Sequence, residues 1–286
     1  MEFAKYHALG NDYLVKDPSL TKTELDEASI RKICHRNYGL GSDGILLGPL
    51  FSELADFKLR IFNPDGSEAE KSGNGLRIFC RYLFDRGLVK EDHDFTVETL
   101  GGVVRAQVFD HGNRIKVGMG QAIFKAGQIP VNTETPDQEV MQYPLEIDGQ
   151  RYEICCVSVG NPHCVIPLDT ISSELAHRIG PKVENHALFP KRINMQLLKV
   201  IDRNNIQIEI WERGAGYTLA SGTSSCAASV IAHKMGWCDG SITVHAPGGT
   251  LSIEIAQGYD LTMTGPVTQV GKFHLSREVL EQNIPA

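Results

Sequence analysis

Four short motifs in the first half of the chain recur, in the same order, about 150 residues further on, and a repeat of that kind constrains the fold more than any compositional figure. Gly10-Asn11-Asp12-Tyr13-Leu14-Val15 returns as Gly160-Asn161-Pro162-His163-Cys164-Val165, and Ser72-Gly73-Asn74 as Ser221-Gly222-Thr223. Val97-Glu98-Thr99-Leu100-Gly101-Gly102 returns as Val244-His245-Ala246-Pro247-Gly248-Gly249, and Gly118 as Gly265. Each match alone is ordinary turn chemistry. The collinear set predicts two halves of like fold, and 286 residues are enough for two cores. The expected domains are 1–118 with the tail 266–286, and 119–265. The tail has no counterpart in the repeat and is expected to return to the first domain.

Each half reads as strands around a helix. Phe57-Lys58-Leu59-Arg60-Ile61-Phe62 and Ile206-Gln207-Ile208-Glu209-Ile210-Trp211 alternate apolar and polar residues, the pattern of a half-buried strand. Both lead into a Ser-Gly motif. Beyond it, the stretches around Leu76, Ile78-Phe79-Cys80 and Cys226-Ala227-Ala228, Val230-Ile231-Ala232 are apolar on most sides, as in helices buried all round. Strands at Phe95-Thr96-Val97, Val103-Val104 and Ile115-Lys116-Val117 would wrap the first helix. Their partners Ile242-Thr243-Val244, Leu251-Ser252-Ile253 and Leu261-Thr262-Met263 would wrap the second. The expected class is α+β: two pseudo-symmetric domains, each a mostly antiparallel sheet or barrel around a central helix.

Charge narrows the partners. With 28 basic against 35 acidic residues the net charge is −7, the wrong sign for a general nucleic-acid or anionic-membrane binder, so a small molecule is favoured. No apolar run has the length of a membrane span and the start lacks a signal-peptide stretch, so a cytoplasmic location is expected. The seven cysteines are odd in number and lack C-x-x-C spacing, which suggests neither a disulfide framework nor a zinc site.

Chemistry concentrates at Ser72-Gly73-Asn74-Gly75 and Ser221-Gly222-Thr223. Each falls between a strand and a buried helix, where free N–H groups and the positive end of the helix dipole attract a carboxylate. An ordinary serine N-cap explains one such motif. Two pseudo-equivalent copies, if the halves face each other, would grip one carboxylate from both sides. Residues 72 and 221 would then flank the carbon beside it. Inversion of a stereocentre needs that arrangement, one group removing a proton from one face while another delivers one to the opposite face.

The residues Phe3-Ala4-Lys5-Tyr6-His7-Ala8-Leu9-Gly10-Asn11-Asp12, Gly41-Ser42-Asp43-Gly44-Ile45-Leu46-Leu47, Asn63-Pro64-Asp65-Gly66-Ser67-Glu68-Ala69, Gly73-Asn74-Gly75, Gly160-Asn161-Pro162-His163, Glu212-Arg213-Gly214-Ala215-Gly216 and Gly222-Thr223 together resemble the diaminopimelate epimerase family over nearly the whole chain. The resemblance implies a pyridoxal-independent epimerase of lysine biosynthesis, interconverting LL- and meso-diaminopimelate in an inter-domain cleft, with no metal or other cofactor; a homodimer is compatible with it. Asn11, Asn63, Asn161, Asn194, Glu212 and Arg213 would then hold the substrate's amino and carboxylate groups. Gly73, Asn74, Gly222 and Thr223 would offer backbone N–H groups to the reacting carboxylate, where negative charge develops. His163 and Glu212 match positions that support the acid/base pair.

One departure stands out. The family pattern has cysteines as the acid/base residues, whereas this chain has Ser72 and Ser221. A thiol of pKa about 8.5 is readily tuned to a thiolate; a hydroxyl needs a strong neighbouring base, for which His163, Glu212 and Lys71 are the candidates. Lys71 and Tyr217 also stand where the family commonly has an apolar residue and an acid. The serines leave open an isomerase or dehydratase of another amino acid, a non-catalytic amino-acid binder, or a chain in which two cysteines were exchanged for serine. Cys80 and Cys226 lie inside the expected helices and are read as core.

Overall fold

A computed structural model describes residues 1–20 and 25–281. The chain divides into two compact units, Met1–Gly118 with the residues from Gly265 onward, and Met119–Thr264. Gly265, expected in the second half, groups with the first.

In the first unit β1 (Glu2–Ala8) and β2 (Asn11–Lys16) form a hairpin. Its tight turn needs Gly10 at φ 91°, a conformation that glycine adopts without steric cost. Helix α1 (Glu27–Cys34) leads to β3 (Ile45–Leu50), parallel to β2. Next come β4 (Phe57–Phe62), antiparallel to β3, and the short β5 (Glu68–Ala69), antiparallel to β4. Helix α2 (Gly73–Asp85) follows. After it, β6 (Phe95–Thr99) lies parallel to β4, and β7 (Gly102–Phe109) and β8 (Arg114–Gln121) continue antiparallel.

The second unit repeats this order. After β9 (Tyr143–Ile147), β10 (Gln150–Ser158) and β11 (Pro162–Pro167) form the equivalent hairpin, with Gly160 at φ 97°. Helix α3 (Ser173–Glu184) leads to β12 (Asn194–Asp202), parallel to β11; β13 (Asn205–Glu212) is antiparallel to β12, and β14 (Gly216–Thr218) to β13. Helix α4 (Gly222–Lys234) precedes β15 (Ser241–Ala246), parallel to β13, then β16 (Gly249–Ile255) and β17 (Asp260–Pro266). Strand β18 (Thr268–His274) and the short α5 (Glu278–Glu281) return to the first unit, where β18 pairs antiparallel with β1. Strand β9 pairs antiparallel with β10 in the same way. The tail therefore does have a positional counterpart, which the collinear motifs do not reveal because β9 precedes its hairpin in the chain whereas β18 comes after the whole second unit.

Helices α2 and α4 are each 13 residues long and buried on nearly all sides. Helix α2 packs on β1, β2, β3 and β7; α4 packs on β10, β11, β12, β13, β15 and β16. Small Ala, Ser and Cys side chains let α4 sit inside its sheet, and Ser225 returns its hydroxyl to Ser221 O at 2.9 Å, so that this buried hydroxyl is paired. The strand and helix segments expected from the sequence all form, and all seven cysteines are free and buried. No helix among the described residues is long and apolar enough to cross a membrane.

Phe79 of α2 has no exposed surface, and its ring presses so closely on Gly48 that a Cβ there would lie 3.0 Å from Phe79 Cε2. Phe79→Ala is expected to lower the unfolding free energy by about 3–5 kcal/mol. Urea denaturation checks this, and a loss below about 1 kcal/mol would show that the helix is not enclosed as described.

Candidate functional site

Ser72 and Ser221 are both true N-caps, with nearly identical backbone (φ −140°, ψ 118° and φ −141°, ψ 125°). Ser72 Oγ accepts from Gly75 N at 3.0 Å and Ser221 Oγ from Ser224 N at 3.4 Å. The first helical bonds run from Leu76 N to Ser72 O and from Ser225 N to Ser221 O. The N–H groups of Gly73 and Asn74, and of Gly222 and Thr223, therefore precede the helical ladder at the positive end of each dipole. The capping and functional readings of these serines are compatible, since the cap uses a lone pair and leaves the hydroxyl hydrogen for another partner.

Around Ser72 the polar side chains form a directed chain. Buried Arg77 donates to Asn74 Oδ1 at 2.6 Å, Asn74 Nδ2 to Asn11 Oδ1 at 3.0 Å, and Asn11 Nδ2 to Asp43 at 2.7 Å. Arg77 can only donate, so it orients both amides in turn. Arg36 bridges Asp43 and Asp12 at 2.6 and 2.8 Å, and Lys5 closes on Asp12 at 2.8 Å. Burial pushes the Asp12 carboxyl upward, but its hydrogen bonds and ion pairs with Arg36 and Lys5 prevail and hold it below the usual range. The second hydroxyl beside Ser72 belongs to Tyr13, 3.3 Å away. Asn63 stands apart from this group, with its amide on Ser67 Oγ at 3.0 Å.

The second unit gathers its residues differently. Asn161 Nδ2 reaches Thr223 Oγ1 at 3.5 Å, and Thr223 Oγ1 lies 3.4 Å from Ser221 Oγ. His163 is fully buried; Nε2 meets the Asn161 side chain at 2.8 Å and Nδ1 meets Gln196 at 3.2 Å. Gln196 in turn donates to Ser224 Oγ on α4 at 3.0 Å. Burial pushes His163 down to about 3 against the opposing hydrogen bond from Gln196. The ring is thus neutral, with one donor and one acceptor nitrogen, and the side-chain oxygens of Asn161 and Gln196 face it from either side.

Glu212 ends β13 half-buried and accepts from Thr218 Oγ1 at 2.7 Å. Burial raises its pKa against hydrogen bonds from Thr218 and Ser221. Ser221 thus lies near enough to this carboxylate to lower its pKa. Asn194 Oδ1 accepts from Arg213 N at 2.9 Å, and the exposed Arg213 guanidinium lies on Lys191 O at 3.0 Å. Glu184, at the end of α3, clamps this turn by accepting from Trp211 Nε1 at 2.8 Å, Gly214 N at 2.9 Å and Arg192 at 3.0 Å. The clamp needs close packing: a Cβ on Gly180 would lie 2.5 Å from the Trp211 ring.

The structure thus brings together Asn11, Ser72, Gly73 and Asn74 in one unit. In the other it joins Asn161, His163, Ser221, Gly222 and Thr223, with Glu212 near Ser221 and Asn194 on the Arg213 backbone. Sequence reading missed Tyr13, Arg77, Glu184 and Gln196. Tyr13 lies inside a repeated motif and could have been singled out there. The others carry no local signal. Tyr217 stacks on His177 with ring centroids 4.5 Å apart and donates to Glu209 at 2.6 Å. No cluster of metal-ligating side chains occurs among the described residues.

Two sheet-wrapped helices, each started by a serine cap, define a duplicated α+β protein. Solved structures place the fold. The chain covers 96% of itself and 93% of a probable proline racemase from Agrobacterium radiobacter K84, with TM-score 0.68 at 13% identity. A phenazine biosynthesis protein of the PhzF family from Bacillus anthracis gives 0.67 at 18% identity, over 96% of this chain and 98% of that one. The family model described as diaminopimelate epimerase matches residues 3–125 and 155–270. A protein named diaminopimelate epimerase 2 from Nostoc sp. is 55% identical over 98% of this chain and 97% of its own length. A diaminopimelate epimerase from Pseudomonas entomophila is 41% identical over 94% and 97%. The chain belongs to the diaminopimelate epimerase family.

A histidine held neutral by burial costs stability once the unfolded chain begins to protonate it. With a folded pKa of about 3 against about 6.5 unfolded, the contribution is complete above 6.5 and lost as pH falls toward 3, at up to about 1.4 kcal/mol per unit. Between about pH 6 and pH 5 the wild type should lose roughly 1 kcal/mol more than His163→Gln. Parallel urea curves at the two pH values test this; identical losses would mean that His163 is accessible to protons in the folded state.

Proposed function

We propose that the chain is a pyridoxal-independent epimerase that interconverts LL- and meso-diaminopimelate by proton transfer at Cα. The observation that carries this reading is the pair of serine-capped helix starts, with backbone dihedrals alike to within a few degrees. Ser72 and Ser221 serve opposite faces of the reacting carbon. The N–H groups of Gly73, Asn74, Gly222 and Thr223 receive the carboxylate on which charge accumulates as the Cα proton leaves. Asn11, Asn63, Asn161, Asn194 and Arg213 bind the substrate's other polar groups, and His163 fixes the Asn161 amide.

Serine in place of a thiol shifts the burden of basicity to a neighbour. In the second unit that neighbour is Glu212. As Ser221 Oγ takes the Cα proton, its own proton passes to the Glu212 carboxylate, so no free alkoxide is needed. Burial raises the pKa of Glu212, which makes it a stronger base than an exposed carboxylate. The seven buried, reduced cysteines support a cytoplasmic setting.

Proton NMR of LL- and meso-diaminopimelate in D2O should show the Cα signal disappear as the isomers interconvert. No exchange, with ligand-induced stabilisation intact, would reduce the chain to a binder. Glu212→Gln should lower kcat by about 100-fold or more. The acid limb of the wild-type pH profile should lie above the ordinary carboxylate value, activity falling as Glu212 protonates.

A further inference from the structure

Among the described residues, the hydrogen-bond partners of the Ser72 hydroxyl oxygen are Tyr13 and Gly75 N, with no carboxylate. At the position that repeats Glu212, the end of the strand before the Ser-Gly motif, stands Asn63, whose amide is engaged with Ser67 at 3.0 Å. At the position that repeats His163 stands Tyr13. The two units have exchanged duties: His163 reaches Asn161 and Gln196, while Tyr13 reaches the serine at 3.3 Å.

The contact is built into the fold. Tyr13 is 7% exposed, and its ring occupies the space that a side chain at position 44 would need. A Cβ on Gly44 would lie 2.7 Å from Tyr13 Cε1, 3.1 Å from Cδ1 and 2.4 Å from Phe62 O. The absence of a side chain at Gly44 is what lets the phenol lie against the cap of α2. Ser72 Oγ already accepts from Gly75 N at 3.0 Å, which leaves one lone pair and its own hydrogen. A phenol, with pKa about 10, is far more acidic than an aliphatic hydroxyl, so within the pair Tyr13 donates and Ser72 accepts. The Ser72 hydrogen is then directed away from both protein partners.

We propose that Tyr13 is the proton reservoir behind Ser72, acting through the serine as Glu212 acts through Ser221; the inference rests on the epimerase reading above. When Cα is protonated from this side, its electron pair forms the new C–H bond as the Ser72 O–H bond breaks. The Tyr13 proton moves to Ser72 Oγ, leaving a phenolate. In the reverse direction Ser72 Oγ takes the Cα proton as its own returns to the phenolate. In one direction the Glu212 carboxylate takes the proton and the Tyr13 phenol supplies one; the reverse direction starts from protonated Glu212 and the Tyr13 phenolate and restores the first state.

Tyr13→Phe keeps the ring and removes the hydroxyl. With LL- and meso-diaminopimelate in D2O, the variant should interconvert the isomers about 10- to 100-fold more slowly, with KM within about twofold of wild type and an unchanged ligand-induced thermal shift. The loss should be lopsided. The isomer whose proton leaves toward Ser221 should still take up solvent deuterium without inverting, and the other should lose exchange and inversion together. Unchanged interconversion by the variant overturns the role of Tyr13 and leaves the epimerase reading standing. So does an equal fall of exchange and inversion from both isomers, which would mark a packing role. An inert wild type overturns the epimerase reading and this inference with it.

Discussion

The proposed chemistry depends on a serine hydroxyl that starts a buried helix in each unit. The cap holds Ser72 and Ser221 in one backbone conformation, and the burial of α2 and α4 leaves the first turn as the place where their N–H groups emerge. A helix enclosed by a sheet has few other outlets for its dipole. The strand order on each side, with a hairpin, a parallel crossover and a parallel return around the helix, is what delivers Asn11 and Asn161 to those starts.

The two units share geometry and differ in chemistry. In the first, Arg77, Asn74, Asn11 and Asp43 form a line of bonds in which every donor is settled by the guanidinium at its head. In the second, a neutral His163 between two amides plays the orienting part, and a turn held by Glu184 carries Glu212 and Arg213. A duplicated fold can accept such divergence because the bonds of each network lie within its own unit.

Much of the fold was legible in the sequence. Strand alternation at Phe57–Phe62 and in β13, the all-round apolar faces of α2 and α4, and the recurrence of Gly-Asn and Ser-Gly motifs are local patterns, and the α+β class follows from them. The place of the C-terminal strand was not, because its counterpart β9 sits elsewhere in chain order. Among the residues of the site, those inside motifs could be named in advance. Glu184, Gln196 and Arg77 could not, since their partners lie on other strands and turns and nothing in their neighbours hints at the contact. Tyr13 was visible as a motif residue, but its meeting with Ser72 depends on the missing side chain at Gly44, a relation that exists only in three dimensions.

The central claim is that both helix starts respond to one amino-acid ligand. Backbone amide NMR during titration with meso-diaminopimelate tests it most directly. The account predicts that the amides of Gly73 and Asn74 and those of Gly222 and Thr223 shift together and saturate with a single dissociation constant. Shifts confined to one pair, or two pairs saturating independently, would contradict it.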